Sequence, residues 1–215
     1  MSQRYRVFVV DDHPIVREGL TLLINQEPDL IVCGEAEAVW SVTAALASVR
    51  PDALILDLSF DLLRHIRAAD AALPILVLSM HDESVYAERA LRAGANGYIM
   101  KREPTARVLA AIHRIVRRGV YVSERIANTM LLSRHGQAPR SLVASLSGRE
   151  LEVFRLIGDG HGTREIAELL QVSVKTVESH QAHIKDKLSL PSARALMHHA
   201  IEWRLSRESA GAYDH

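Results

Sequence analysis

The sequence predicts a parallel α/β domain followed by a separate all-α domain, and three observations support this fold class. Over the first 118 residues, five short apolar runs alternate with five amphipathic helical patterns. The apolar runs lack polar alternation, which is typical of strands that are buried on both faces in a parallel sheet covered by helices. Beyond residue 145, four helical patterns follow without a further strand pattern.

The first domain is predicted from its elements in chain order. The strand candidates are "RVFVV" (6–10), "LIVCGEA" (30–36), "ALILD" (53–57), "PILVLS" (74–79) and "GYIM" (97–100). The helix candidates between and after them cover about 15–25, 39–49, 61–68, 84–93 and 104–118. Connections between parallel strands are right-handed crossovers, and the helices are expected to cover both faces of the sheet. In such sheets, functional sites lie at the carboxyl ends of the strands.

Polar side chains stand at the ends of four of these strands. Asp11 and Asp12 follow the first strand, Asp57 ends the third, Ser79 ends the fourth and Lys101 follows the fifth. Three carboxylates at one edge repel one another unless a cation neutralises them, and an oxygen-only site suits Mg²⁺. One carboxylate can then act as a nucleophile toward a phosphoryl group held by the metal and the lysine. Each residue alone also fits a helix cap, a turn or a solvated charge, but their joint placement indicates a shared site.

The second domain begins with a strong helix signal. Ser147 and Glu150 have the spacing of a capping box, and Gly158 and Gly160 are predicted to end this helix. Thr163 is predicted to cap a second helix. Its inward face is predicted to be Ile166, Leu169 and Leu170.

Ser173 is predicted to cap a third helix after a tight turn, with Val177, Ile184 and Leu188 facing inward. Two short helices joined by such a turn form a helix-turn-helix, which places its second helix in the major groove of DNA. The candidate DNA contacts lie on the outer face of this third helix: Lys175, Thr176, Glu178, Ser179, Ala182, His183 and Lys185.

The first 120 residues resemble the receiver domain of bacterial two-component response regulators. The matching segments are "VVDDHPIVREGL", "LILDLS", "VLSMHD" and "AGANGYIMK". The resemblance implies a flavodoxin-like five-stranded parallel sheet. It also implies that Asp57 is the phosphoacceptor, phosphorylated by a sensor histidine kinase.

The resemblance assigns roles to the surrounding residues. Asp12, and to a lesser degree Asp11, would bind Mg²⁺ together with Asp57. Ser79 would be the switch hydroxyl and Lys101 the phosphate partner. Tyr98 matches the aromatic residue that changes rotamer on phosphorylation.

The connection after Asp57 departs from the family pattern. Receivers normally continue with a loop of the type Met-Pro-x-x-x-Gly, whereas "LSFDLLRHIR" follows here without glycine or proline. That loop normally offers a backbone carbonyl to the metal, a role that falls on Ser59. Either the third helix begins later and is shorter, or Ser59 is displaced from the metal. The alternative function is therefore a degenerate receiver controlled by dimerisation or partner binding without phosphorylation.

The stretch "LSGRELEVFRLIGDGHGTREIAELLQVSVKTVESHQAHIKDKL" resembles the four-helix DNA-binding domain of the LuxR type. With the receiver, it makes the whole chain similar to the NarL/FixJ family. This implies a DNA-binding transcription regulator that is not an enzyme and that forms a homodimer, with pairing expected on a fourth helix at about 192–203. An aspartyl-phosphate hydrolase of the haloacid dehalogenase type is disfavoured, because its two aspartates stand two positions apart and Asp11 and Asp12 are adjacent.

Composition agrees with this organisation. The chain has 215 residues, 48% of them hydrophobic and 24% charged, and a net charge of zero. No apolar run approaches the roughly 18 residues of a membrane span, so a cytoplasmic protein without a membrane partner is expected. The expected domains are a receiver at 1–120, a linker with a short helix at 121–145, a helix-turn-helix domain at 146–208 and a tail at 209–215.

Overall fold

The computed structural model describes residues 4–37, 42–134 and 142–211. By its internal contacts the chain divides into two units, Met1–Ala138 and Pro139–His215. In the first unit the strands are β1 (Tyr5–Val10), β2 (Leu30–Ala36), β3 (Ala53–Asp57), β4 (Ile75–Ser79) and β5 (Gly97–Met100). The helices are α1 (Pro14–Asn25), α2 (Val42–Val49), α3 (Phe60–Ala69), α4 (Glu83–Arg92), α5 (Thr105–Val116) and α6 (Glu124–Arg134).

The five strands form one parallel sheet in the order β2-β1-β3-β4-β5. This confirms the predicted fold class, and each strand lies within one residue of its predicted bounds. The central strands are buried along nearly their whole length, as their uninterrupted apolar runs indicate. The order places the ends of β1 and β3 side by side, with β4 and β5 following, at the edge where sites form in such sheets. The predicted start of the second helix, residues 39–41, lies outside the described residues.

The α3 helix begins directly after β3. Ser59 is its N-cap, with extended backbone angles, and the Ser59 hydroxyl accepts a hydrogen bond from the Leu62 N–H at 3.3 Å. The Ser59 carbonyl accepts the first helical hydrogen bond, from the Leu63 N–H at 2.9 Å. The first alternative above, a later and shorter helix, is therefore wrong. A serine can cap a helix in extended geometry, so the chain turns off the sheet without glycine or proline.

The segment after α5 is attached to the sheet. Tyr121 forms a parallel bridge with Gly97, and its carbonyl accepts a hydrogen bond from the Tyr98 N–H at 3.0 Å. The α6 helix follows, and its Ile126 is buried. The part of the expected linker that the structure describes up to residue 134 is therefore packed, because Ile126 and the bridge hold it. Residues 135–141 of that linker lie outside the described residues.

The second unit contains a short 3₁₀ turn (Leu142–Ser145) and four helices. These are α7 (Gly148–Gly158), α8 (Thr163–Leu169), α9 (Val174–Leu188) and α10 (Ala193–Gly211). Their core includes Phe154, Ile166, Val177, Ile184 and Leu188, all buried. The predicted inward face of α9 is therefore confirmed, as is its Ser173 cap, whose hydroxyl accepts from the Thr176 N–H at 3.1 Å.

Two local predictions in this unit are wrong. Leu169 is 57% exposed, because α8 has only seven residues and turns Ile166 rather than Leu169 to the core. Gly162, not Thr163, occupies the N-cap of α8. The prediction that Gly158 and Gly160 end α7 is, by contrast, confirmed, because Gly158 is the last helical residue and Gly160 follows with a φ of 92°. An ideal Cβ at Gly158 would lie 2.7 Å from the Ala200 carbonyl oxygen of α10.

The expected tail is also corrected. The α10 helix continues through residue 211, so residues 209–211 are helical. Residues 212–215 of the predicted tail lie outside the described residues.

Candidate functional site

Asp11 is held at the end of β1 by its backbone. Its N–H donates to the Ala36 carbonyl at 3.2 Å, and its own carbonyl accepts from the Arg17 guanidinium at 2.7 Å. The Asp11 side chain is only 1% exposed. A carboxylate this deeply buried needs a cationic partner to remain charged.

Lys101 supplies that partner at the same edge. Its Nζ lies 2.7 Å from Asp11 Oδ2 and 3.1 Å from Asp57 Oδ1, and its side chain is 6% exposed. The Lys101 N–H also donates to the Ser79 carbonyl at 2.7 Å, which fixes the residue beyond the end of β5. The structure thus brings together the residues that the sequence predicts at the ends of β1, β3, β4 and β5.

Asp57 lies in a partly shielded environment. Burial raises the pKa of its carboxyl group, Lys101 lowers it and Asp11 raises it. The Leu58 N–H donates to Asp57 Oδ1 at 2.9 Å, on the same oxygen that faces Lys101. Among the described residues, both contacts of this carboxylate therefore lie on Oδ1. Neither of these two contacts involves Oδ2.

The acidic cluster fits a divalent cation. One ligand atom each from Asp11, Asp12, His13 and Asp57 lies within 4.8 Å of the others. Asp11 Oδ2 is buried, and its contact among the described residues is the 2.7 Å ion pair with Lys101. Carboxylate oxygens of this kind are the ligands that Mg²⁺ prefers.

Ser59 and His13 also belong to this part of the structure, but the sequence predicts a metal-binding role for Ser59 only. The Ser59 carbonyl is already an acceptor in the first turn of α3, as described above. His13 was not predicted, yet its Nδ1 lies 2.5 Å from Asp12 Oδ1 and 3.2 Å from Asp11 Oδ1. The only signal in the sequence is its position directly after the acidic pair.

A second group of contacts joins Ser79 and Tyr98 through the loop after β4. The Ser79 hydroxyl accepts a hydrogen bond from the His81 N–H at 3.1 Å. The Tyr98 hydroxyl donates to the His81 carbonyl at 2.8 Å. Tyr98 is buried, and burial raises the pKa of its phenol. Sequence reasoning found Ser79 and Tyr98 but missed His81, which contacts both through its backbone.

The helix-turn-helix is formed by α8, a turn and α9. Gln171 in the turn has a φ of 52°, in the left-handed region, and the Gln181 amide donates to the Thr163 hydroxyl at 3.3 Å across the two helices. All seven candidate DNA contacts lie on α9, where six are exposed and Lys185 is half-buried. The Thr176 hydroxyl lies 2.8 Å from the Ser173 hydroxyl, so it belongs to the helix cap as well as to this surface.

The remaining lysine of α9, Lys187, has a side chain that is 40% exposed and pairs with Glu150 of α7. Its Nζ donates to Glu150 Oε2 at 2.6 Å, and the Ser147 N–H donates to the same oxygen at 2.6 Å. Burial raises the pKa of Glu150, but the bonds from Lys187 and Ser147 outweigh it and hold the pKa below its usual value. The predicted capping box is therefore confirmed, and Lys187 serves the fold rather than the outer face of α9.

Two family models match the chain. The response regulator receiver domain matches residues 7–113, and the family of bacterial regulatory proteins called luxR matches residues 144–200. The oxygen regulatory protein NreC of Staphylococcus epidermidis is 34% identical over 215 residues, covering 93% of this chain and 98% of NreC. NreC of Staphylococcus aureus is 34% identical over 213 residues with the same coverage.

Solved structures of response regulators are also similar to this chain. RcsB of Salmonella enterica serovar Typhimurium, bound to the promoter rprA with the phosphomimetic BeF₃⁻, is 26% identical with a TM-score of 0.64, covering 91% of this chain and 98% of that one. A LuxR-family response regulator of Aurantimonas sp. SI85-9A1 is 35% identical with a TM-score of 0.56, covering 62% of this chain and 99% of that one. None of these matches supports the alternative of a degenerate receiver. Within the described residues, no helix has the length and apolar character needed to cross a membrane.

Proposed function

The chain belongs to the NarL/FixJ family of two-component response regulators, which are DNA-binding transcription regulators, and on that premise we propose that phosphorylation of Asp57 controls its binding to DNA. The observation that carries the proposal is the position of Lys101. Its ammonium group forms ion pairs with both Asp11 and Asp57. A positive charge is therefore present at the position where a phosphoryl group on Asp57 would lie.

Asp57 is the proposed nucleophile. Its Oδ2 attacks the phosphorus of a phosphohistidine on a sensor kinase, so an O–P bond forms as the N–P bond breaks and the leaving imidazole takes up a proton. Lys101 is positioned to hold an oxygen of the transferred group. The Ser79 hydroxyl then turns toward the phosphoryl oxygens, and Tyr98 follows through the loop after β4.

Mg²⁺ is the proposed cofactor, held by the carboxylates of Asp11, Asp12 and Asp57. A bound Mg²⁺ would offset the repulsion among these carboxylates and the incoming phosphoryl oxygens. The backbone carbonyl of Ser59 is proposed as a further ligand, through the lone pair that its helical hydrogen bond leaves open. Arg17 holds the Asp11 backbone and so orients this carboxylate.

The outer face of α9 is the proposed DNA interface. Lys175 and Lys185 would contact phosphates, and Thr176, Ser179 and His183 would face base edges. From residue 173 to 188 three lysines stand against two acidic residues, so the net charge of this segment is only +1. A single domain would therefore bind DNA modestly.

A homodimer would supply the missing affinity. Two half-sites double the number of contacts when two copies bind together. We place the pairing surface on α10, where Met197 and Leu205 are each 48% exposed. Because its partners are DNA and a kinase that relays a signal to it, we place the protein in the cytoplasm.

The phosphorylation step is tested with a small-molecule phosphodonor and Mg²⁺. The wild-type protein should form an acyl phosphate, which is stable in acid and labile in base, and Asp57→Ala should abolish it. Asp61→Ala is the matched control, because Asp61 lies four residues away on the exposed side of α3 and should keep full labelling. Absence of the adduct on folded wild-type protein would refute the phosphorylation switch.

A further inference from the structure

Three aromatic rings form a column between α3 and the loop after β4. The rings of His81 and Tyr86 stack with centroids 4.8 Å apart and planes at 24°. The rings of Tyr86 and Phe60 stack with centroids 6.3 Å apart and planes at 23°. Phe60 is 5% exposed and Tyr86 2%, so these two rings belong to the interior and have little freedom to reorient, whereas His81 is half-buried. We call Phe60, Tyr86 and His81 the aromatic column.

One end of the aromatic column is tied to the phosphoacceptor. Phe60 is the first residue of α3, and only Leu58 and Ser59 separate it from Asp57. Leu58 donates its N–H to the Asp57 carboxylate, and Ser59 caps the helix. Because this connection has only two residues and both are held by hydrogen bonds, a displacement of Asp57 is passed on to Phe60.

The other end of the aromatic column is tied to the switch. The backbone of His81 donates to the Ser79 hydroxyl and accepts from the Tyr98 hydroxyl, while its ring lies on Tyr86. Because the His81 ring stacks on the Tyr86 ring, a shift of Tyr86 would change the orientation of His81. Tyr86 is in α4, so the column joins the reacting strand to both the loop and the helix that follows it.

The same helix contacts α6. The Ser123 hydroxyl, at the start of α6, donates to Glu83 Oε1 of α4 at 2.7 Å and also accepts from the Ile126 N–H at 3.2 Å. Ile126 is buried. A change in α4 therefore reaches the segment that leaves the first unit.

We propose that Phe60 and Tyr86 are positioning residues that transmit the state of Asp57 to the loop after β4 and to α4. The proposal rests on the proposed phosphorylation of Asp57. When the Ser79 hydroxyl turns to the phosphoryl group, the His81 N–H loses this hydrogen bond. The loop after β4 then repacks, and contacts with the aromatic column determine its new conformation. The short connection therefore links the position of Phe60 to that of Asp57, whereas a longer loop would let Phe60 move independently of β3.

The test is hydrogen exchange of residues 80–92 with and without beryllium fluoride and Mg²⁺. In the wild type the exchange rate in this segment should change about 5-fold, the lower end of usual allosteric coupling, and in Phe60→Leu it should change less than about 2-fold. Phosphodonor labelling of Asp57 should persist in the variant. Phe8→Leu is the matched control, because Phe8 is equally buried in β1 with its ring against Gly34 and should keep the wild-type response.

The Tyr86 end of the column gives an independent pair of variants. Tyr86→Phe keeps the ring and should keep the exchange response, whereas Tyr86→Leu should lose it. A labelled Phe60→Leu or Tyr86→Leu protein with the full wild-type response would overturn the proposal, as would loss of the response in Tyr86→Phe. Failure of the proposed function is recognised separately, since wild-type protein would then show no label at all.

Discussion

Lys101→Met removes the ammonium group that faces the two carboxylates at the edge of the sheet. Methionine keeps nearly the length of the side chain, so the main loss is charge. Lys101, Asp11 and Asp57 are 6%, 1% and 22% exposed as side chains. Water therefore cannot replace the ammonium group at Asp11, and two carboxylates are left facing each other.

The expected loss of stability is large. Breaking a buried ion pair by removing one partner costs about 3–5 kcal/mol, and the partial exposure of Asp57 favours the lower end, about 3 kcal/mol. Domains of this kind are stable by about 5–15 kcal/mol, so the variant should remain folded but unfold at clearly lower denaturant. Arg64→Met is the matched control. The Arg64–Asp61 pair is half exposed at both side chains and should cost less than about 1 kcal/mol.

Urea unfolding read by pulsed hydrogen exchange measures this cost. Peptides that cover β1 and β3 report the first unit separately from the helices of the second, and the buffer contains a chelator so that no divalent cation compensates the charge. In a double-mutant cycle, Asp11→Asn should recover part of the loss in the Lys101→Met background, because it removes one of the two facing charges. If Lys101→Met costs no more than Arg64→Met, or if Asp11→Asn gives no recovery, the assigned electrostatics are wrong.

Three further predictions concern the second unit. Glu150→Ala should destabilise it by about 1–2 kcal/mol at pH 7 through loss of the cap and of the Lys187 contact, measured by urea unfolding. The pKa of Glu150 is lower in the folded state, so the stabilisation by its carboxylate is fully present above the unfolded pKa near 4.3 and should disappear as the pH falls through the folded pKa. Urea unfolding of the wild type and the variant at a series of pH values measures this. A cost of Glu150→Ala that does not change with pH would contradict the prediction. Gly158→Ala should destabilise the unit by about 1–3 kcal/mol, since the new methyl group meets the Ala200 carbonyl of α10, and an unchanged melting temperature would refute the close approach. Lys175→Ala should weaken DNA binding to all sequences alike and reduce the salt slope by about 1, and a loss confined to one base position would show instead that it reads a base.

The sheet and the acidic edge were predictable because their signals are local. A strand buried on both faces must be apolar along its length, and polar residues at its end mark where it leaves the core, as Asp57 and Ser79 do. The position of Lys101 followed from the topology alone. Its distances to the two carboxylates did not, since they depend on how the ends of separate strands meet.

The errors fall where packing between distant segments decides. Leu169 satisfies the helical pattern, but its exposure is set by the helices that pack on α8. The short helix expected within 121–145 is present as α6, but its sequence does not show that Ile126 is buried. Contacts between Phe60 and Tyr86 leave no signal in either stretch, because each residue alone is an ordinary core aromatic.

The bridge between Tyr121 and Gly97 has a consequence for how the first unit is cut from the chain. Without it, β5 would be the outermost strand on its side of the sheet, with main-chain groups open to pairing with other molecules. A fragment that ends at residue 120 keeps every strand and α5 but lacks Tyr121. The edge of β5 beside Tyr98 would then be unpaired and prone to association with other molecules. A fragment that ends after Arg134 retains both the bridge and α6. It is the version of the receiver that should stay monodisperse at the concentrations needed for labelling experiments.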